Sequence, residues 1–134
     1  MRFHSIEPTE FEEEIRFSHR GYGWLVYAQQ SWRVDDATPL HTEMGIWRIV
    51  GPGLVNTFVA LTAGVDFCEG SLDGTTISLK NILSPTAEGI EEIIALRRRY
   101  RVDGDVMEYE VDMGTDRQQL QQHVTARLSR VNPD

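Results

Sequence analysis

Hydrophobic and polar residues alternate along most of this chain, and a period of two marks a β-strand with one face turned to a core. In the first clear run Phe11, Glu13, Ile15 and Phe17 share a face, with Glu12, Glu14, Arg16 and Ser18 opposite. The segment Gly21 to Gly23 breaks the run, and Trp24, Val26 and Ala28 then alternate with Leu25, Tyr27 and Gln29. Asp35-Asp36-Ala37-Thr38-Pro39 has turn chemistry, and a third extended run, Leu40 to Val50, ends at Gly51-Pro52-Gly53. Leu54 to Leu61, Val65 to Glu69 and Thr75 to Leu83 read as further strands, with Gly64, Gly70 and Gly74 at or near the turns.

After Asp103-Gly104-Asp105, a hairpin-type turn, Met107, Tyr109, Val111 and Met113 face away from Glu108, Glu110 and Asp112. The last run is Leu120 to Val131, closed by Asn132-Pro133. Between Thr86 and Arg99 two periods compete, because Ile90, Ile93, Ile94 and Arg97 lie at helical spacing while Ile94 to Val102 alternates. The pattern predicts a turn or short helical piece near Thr86–Glu91, followed by a strand. Short strands at close spacing, separated by Gly, Asp and Pro, are the pattern of a barrel or sandwich. The expectation is one all-β domain over 1–134. It is an antiparallel up-and-down barrel of about nine or ten strands, lipocalin-like or fatty-acid-binding-like, holding a small ligand.

Composition narrows the partners. Thirteen Lys and Arg stand against 21 Asp and Glu, a formal charge of −8, and Lys80 is the single lysine. Arg97, Arg98, Arg99 and Arg101 form the only basic run, flanked by acids, and read as a solvated strand face or a helix end in preference to a phosphate site. Such a balance disfavours nucleic acid, which needs a field of basic side chains to displace counterions. No apolar stretch approaches the roughly 20 residues of a membrane span. The opening Met1-Arg2-Phe3-His4 lacks the apolar core of a secretory signal. One cysteine, Cys68, admits no intrachain disulfide and reads as a small core residue. The expected location is the cytoplasm.

Catalytic signatures are few. The chain has no Gly-rich phosphate loop, nucleophile elbow or structural-zinc spacing. Glu12-Glu13-Glu14 is not a carboxylate pair for catalysis: consecutive strand residues point to opposite faces, so only Glu12 and Glu14 share one, and it reads as a solvated face. Of four histidines, His4 lies near the start and His19 at a turn, while His41 opens a strand and His123 lies in the last one. Strict alternation groups His123 with Gln121, Thr125 and Arg127, away from Val124, Ala126 and Leu128. An inward His123 therefore requires a partly polar interior or a bulge that flips the register.

Several blocks, in order, carry a resemblance. They are Phe11-Glu12-Glu13-Glu14-Ile15-Arg16-Phe17-Ser18-His19, Val26-Tyr27-Ala28-Gln29-Gln30-Ser31-Trp32 and Pro39-Leu40-His41-Thr42-Glu43-Met44-Gly45. Tyr100-Arg101-Val102-Asp103-Gly104-Asp105 and Leu120-Gln121-Gln122-His123-Val124-Thr125-Ala126-Arg127-Leu128 complete the set. From about Ser5 to Val131 the chain resembles the nitrobindin-like proteins, haem-binding barrels related in architecture to fatty-acid-binding proteins. The resemblance implies a ten-stranded barrel holding ferric haem b near its mouth. His123 stands at the axial iron ligand, and His41 and Met113 stand at residues lining the same pocket. It implies nitric oxide binding and the isomerisation of peroxynitrite to nitrate.

The chain also departs from that pattern. The family's opening Gly-x-Trp-x-Gly-x-Gly strand is absent. Ser5 replaces a threonine of the haem site, Leu61 replaces a polar residue or histidine, and Glu91 falls about where a propionate-binding lysine would sit. Three expectations follow: nine strands, a truncated start, or an open edge covered by a partner in a homodimer. The alternative content is a hydrophobic small molecule in a haem-free, fatty-acid-binding-like cup.

Overall fold

The computed structural model describes residues 1–19, 21 and 23–131; Arg20, Tyr22 and the Asn132-Pro133 stop lie outside the described residues. Ten strands are present: β1 (Arg2–Ser5), β2 (Phe11–His19), β3 (Trp24–Arg33), β4 (Pro39–Gly51) and β5 (Leu54–Leu61), then β6 (Val65–Asp73), β7 (Thr76–Leu83), β8 (Ile93–Asp103), β9 (Val106–Thr115) and β10 (Gln121–Val131). Every strand pairs antiparallel with its sequence neighbour, and β1 also pairs with β10. The sheet is a closed barrel, which leaves no edge for another chain to extend.

The wall is complete because β1, only four residues long, bridges β10 and β2. Arg2 to Ser5 lie across from Val131 to Leu128 on one side, and Arg2 to His4 across from Arg16 to Glu14 on the other. Phe3 plugs the seam at 1% exposure. The Met1 amino group donates to the Phe17 carbonyl at 2.9 Å, and the Phe17 N–H returns a bond to the Met1 carbonyl at 2.8 Å. The expected open edge and nine-stranded barrel are both overturned.

Of the two forms expected at Thr86–Glu91, a turn or a short helical piece, the turn is the one that forms. The segment bridges Thr86 to Gly64, and the Ile90 N–H closes a turn on the Ala87 carbonyl at 3.1 Å. Seven residues between Pro85 and β8 are too few to nucleate a helix without packing, and Ile90 stays half exposed. Gly70 lies inside β6, not at a turn, because a Cβ there would stand 1.7 Å from the Ser78 carbonyl oxygen. Gly45 in β4 is likewise demanded by β5, with 1.9 Å to the Phe58 carbonyl oxygen. The true turn after β6 is Gly74, at φ +61.

Inward side chains form a gradient along the barrel. At one end Phe17, Tyr27, Trp47 and Tyr100 pack ring on ring, with Trp47 central: its centroid is 5.0 Å from Phe17, 5.0 Å from Tyr27 and 4.8 Å from Tyr100. Phe3, Ile15, Val55, Cys68, Leu79, Met107 and Leu128 fill the space around them. This plug closes one end and supplies most of the buried apolar surface. Toward the other end the inward residues become polar, and then the barrel opens.

The outer face carries two contrasting regions. Over β8, β9 and β10 it is charged, with Arg99 on Glu110 and both Arg101 and Arg127 on Glu108. Over β3 to β7 a row of direct cross-strand neighbours is wholly apolar: Val26, Ile46, Phe58, Phe67 and Leu83. Among the described residues, no helix is long and apolar enough to cross a membrane.

Candidate functional site

The open end is built from strand termini. Phe11 begins β2, His41 lies near the start of β4, Leu61 ends β5, Ile93 begins β8, and Met113 lies near the end of β9. With Leu40, His123 and Val124 they line a cavity of about 410 Å³, within the roughly 300–1,000 Å³ typical of small-ligand pockets. A larger groove of about 910 Å³ runs along the outside between β5 and β9, but it carries no histidine and opens over charged residues such as Lys80, Arg97 and Glu110.

His123 reaches the cavity through a break in the ladder. β10 pairs regularly with β9 from Val124↔Val111 to Ser129↔Val106, and the register shifts between Gln122 and Val124. The extra residue lets His123 and Val124 both line the cavity, although a regular strand would send them to opposite faces. A second irregularity, between Ile93 and Ala95 in β8, brings Ile93 to the cavity and leaves Ile94 58% exposed. Both devices lie at the mouth.

Beneath the mouth lies a buried polar layer. Glu43 accepts hydrogen bonds from Tyr27 Oη at 2.6 Å, Arg98 Nη1 at 2.7 Å and His41 Nε2 at 2.9 Å. Burial alone would raise the Glu43 carboxyl. The His41 hydrogen bond, the Arg98 charge and the Arg98 and Tyr27 hydrogen bonds outweigh it and hold the group down at about 2. Glu43 is therefore a carboxylate, able only to accept, so His41 Nε2 carries a proton in this contact.

Arg98 also binds Asp66, Nη2 to Oδ2, at 2.8 Å. On the opposite wall Glu13 accepts from Gln29 Nε2 at 2.5 Å and from Tyr109 Oη. Burial raises the Glu13 carboxyl above its ordinary value against the pull of those two bonds. The thiol of Cys68, in the plug, is pushed up to about 11, chiefly by burial.

Of the residues expected at the site, His123, His41 and Met113 line one cavity. Ser5 stands behind the wall: its Oγ accepts from the Glu13 N–H at 2.7 Å and donates to the Glu13 carbonyl at 3.2 Å, fixing the backbone whose side chain enters the polar layer. Leu61 lines the cavity, whereas Glu91 accepts a hydrogen bond from Thr115 and turns away from it. One sequence reading fails here: Arg98 is not on a solvated face but 8% exposed, whereas Glu13, on the face of Ile15 and Phe17, is 1% exposed as that grouping implies. Arg98 keeps the parity of Leu96 and Tyr100, a signal that the surrounding basic run masked.

The arrangement defines a class: an antiparallel ligand-holding barrel with a plugged floor, a polar middle layer and an imidazole at an apolar mouth. The donor set fits haem. A neutral imidazole is a good iron ligand, and Leu40, Leu61, Ile93, Met113 and Val124 supply the apolar wall a macrocycle needs. Known proteins agree. Residues 1–130 match the THAP4-like, heme-binding beta-barrel domain. Peroxynitrite isomerase 2 of Mycobacterium ulcerans is 40% identical over 134 residues, spanning 94% of this chain and 81% of that protein. Peroxynitrite isomerase 1 of Mycolicibacterium paratuberculosis is 37% identical, spanning 96% and 83%. The crystal structure of Rv2717c from M. tuberculosis superposes with a TM-score of 0.83 at 34% identity, covering 98% of this chain and 89% of that one. This chain belongs to the THAP4-like family of haem-binding β-barrel domains.

Proposed function

We propose that this barrel binds haem b with His123 as the axial ligand and isomerises peroxynitrite. The observation that carries the reading is the β10 bulge, which turns His123 into the apolar-walled cavity that His41 and Met113 also line. Haem, when bound, supplies an iron with an open position for a small nitrogen-oxide ligand. The chain does the rest. His123 would hold the iron at the mouth, and the apolar wall of Leu40, Leu61, Ile93, Met113 and Val124 would exclude water around the group. His41, with Nε2–H held on the Glu43 carboxylate, keeps one ring orientation and one protonated nitrogen at the cavity edge. Isomerisation leaves the atom count unchanged, so no co-reactant site is required.

Titrating the purified chain with ferric haem tests the reading. A Soret band saturating at one haem per chain is expected, with His123→Ala losing or shifting it; the same band in both proteins refutes the axial role. Stopped-flow decay of peroxynitrite, faster with the loaded wild type than with loaded His123→Ala, tests the activity. A haem-free cup for a fatty acid is the weaker reading. Arg98 is the only arginine or lysine among the described residues lining the cavity, and Glu43 and Asp66 already neutralise it.

For assembly, we propose that two copies pair through the outer row Val26–Ile46–Phe58–Phe67–Leu83. An apolar row across five strands exceeds ordinary surface scatter, and a twofold axis can set it against its own copy, with the Arg48 guanidinium 5.8 Å from the Phe58 ring centre as the charge beside it. Sedimentation should give a dimer that Phe58→Asp converts to a monomer; a wild-type monomer at micromolar concentration refutes it. A lone buried thiol at Cys68 suits a reducing compartment, and the cytoplasm is the proposed location.

A further inference from the structure

The polar layer under the mouth contains unmet hydrogen-bonding capacity. Four side-chain atoms there are buried without a partner: Glu13 Oε1, Gln29 Oε1, Asp66 Oδ1 and Arg98 Nε. Their residues are 1%, 7%, 1% and 8% exposed, and all four line the same cavity. A buried polar atom without a partner costs about 1–3 kcal/mol, so four in one layer imply something that satisfies them. Three are acceptors and one is a donor.

Charge sharpens the chemistry. Two carboxyl groups, Glu43 and Asp66, hold the single guanidinium of Arg98, whose Nη1 and Nη2 are occupied at 2.7 and 2.8 Å, while Glu13 stands on the opposite wall. A negatively charged head group would meet ionised Glu43 and find no free cation. A neutral head group carrying N–H or O–H donors would meet three unmatched acceptors, and its own oxygen could take the Arg98 Nε hydrogen.

We infer that this layer is a binding subsite for an uncharged, hydrogen-bond-donating head group, such as a primary amide, on a short apolar chain, and that it rejects the matching carboxylate. The apolar wall above, from Leu96 and Val111 to Met113, accommodates the chain while the head group reaches the floor. The selection is by mismatch, because a site built for donors leaves its buried acceptors unpaired when the ligand brings only lone pairs. The inference concerns the floor of the cavity, and because the ligand's apolar chain takes wall that haem would also cover, it is tested on the haem-free chain.

Octanamide and octanoate differ in head-group charge and donors at nearly equal size, and they make the comparison direct. Displacement of the neutral dye Nile red from the full-length chain at pH 8 is expected to need on the order of tenfold or more octanoate than octanamide. In Glu43→Gln/Asp66→Asn, which frees Arg98, the preference should shrink or reverse. Should the double variant fail to fold, as judged by circular dichroism, Asp66→Asn alone should move the ratio the same way. Equal potency of the two probes on the wild type overturns the inference, as does an unchanged ratio in a folded variant.

Discussion

Replacing Arg98 with methionine keeps the length of the side chain and removes its charge, leaving Glu43 and Asp66 facing each other's layer without a cation. The two carboxylates are 6% and 2% exposed, and Arg98 is 9% exposed at its side chain, so water screens little of their interaction. Glu43 is held at about 2 against an ordinary 4.5. At about 1.4 kcal/mol per pH unit that difference is worth about 3 kcal/mol, of which the His41 and Tyr27 bonds retain a share in the variant. Removing one partner from a buried pair typically costs about 3–5 kcal/mol. We therefore expect Arg98→Met to lose about 3–4 kcal/mol at pH 7.5, or about 12–16 °C of melting temperature for a chain of this size.

The pH dependence identifies the cause. Because the folded value of Glu43 is depressed, its contribution in the wild type is present above about 4.5 and is lost as pH falls toward about 2. Without Arg98, burial should raise the Glu43 carboxyl. Stability of the variant is then greatest in acid and falls as pH rises. Urea unfolding followed by tryptophan fluorescence between pH 4.5 and 8 should show the gap between the two proteins widening with pH. A loss below about 1 kcal/mol, or parallel curves, refutes the reasoning.

Three further outcomes follow from named contacts. Gly45→Ala should destabilise the barrel by about 1–3 kcal/mol or more in the same urea assay, since its Cβ would meet backbone at 1.9 Å; a neutral effect would contradict the close approach of β5. Cys68 is buried and its thiol is pushed up to about 11, so Ellman's reagent should label it only as fast as the protein unfolds, with the rate rising with urea; rapid labelling in buffer would place it at the surface. The raised carboxyl of Glu13 contributes stability below the ordinary carboxylate range that is lost as pH rises. Glu13→Gln should accordingly gain on the wild type between pH 5 and 8, and equal slopes in urea midpoints would refute this.

Most of the wall was legible because each strand has its own alternation: Phe11 to Phe17 and Met107 to Met113 declare their faces without reference to the rest of the chain. Contacts between strands distant in sequence were not legible. Glu43, Asp66 and Arg98 come from β4, β6 and β8, and only barrel closure makes them neighbours. Their parity was readable, since Arg98 alternates with Leu96 and Tyr100, but a charge among charges reads as solvent-facing until its partners are known. The short β1 escaped notice because four residues are too few to establish a period. For His123 the sequence stated a condition, a bulge or a polar interior, and the folded chain meets both.

The β10 bulge also bears on how such a protein can change. A single residue out of step at Gln122–Val124 sets which way the mouth of β10 faces, while Ala126 and Leu128 below keep their pairing with Tyr109 and Met107. Deleting one residue above Val124 would restore the regular pleat and turn the imidazole outward without disturbing the aromatic plug. Changes in chain length at this point can thus switch the site on or off, whereas the stability of the barrel depends on substitutions elsewhere. Descendants of this fold can keep the container and alter its contents by insertion or deletion.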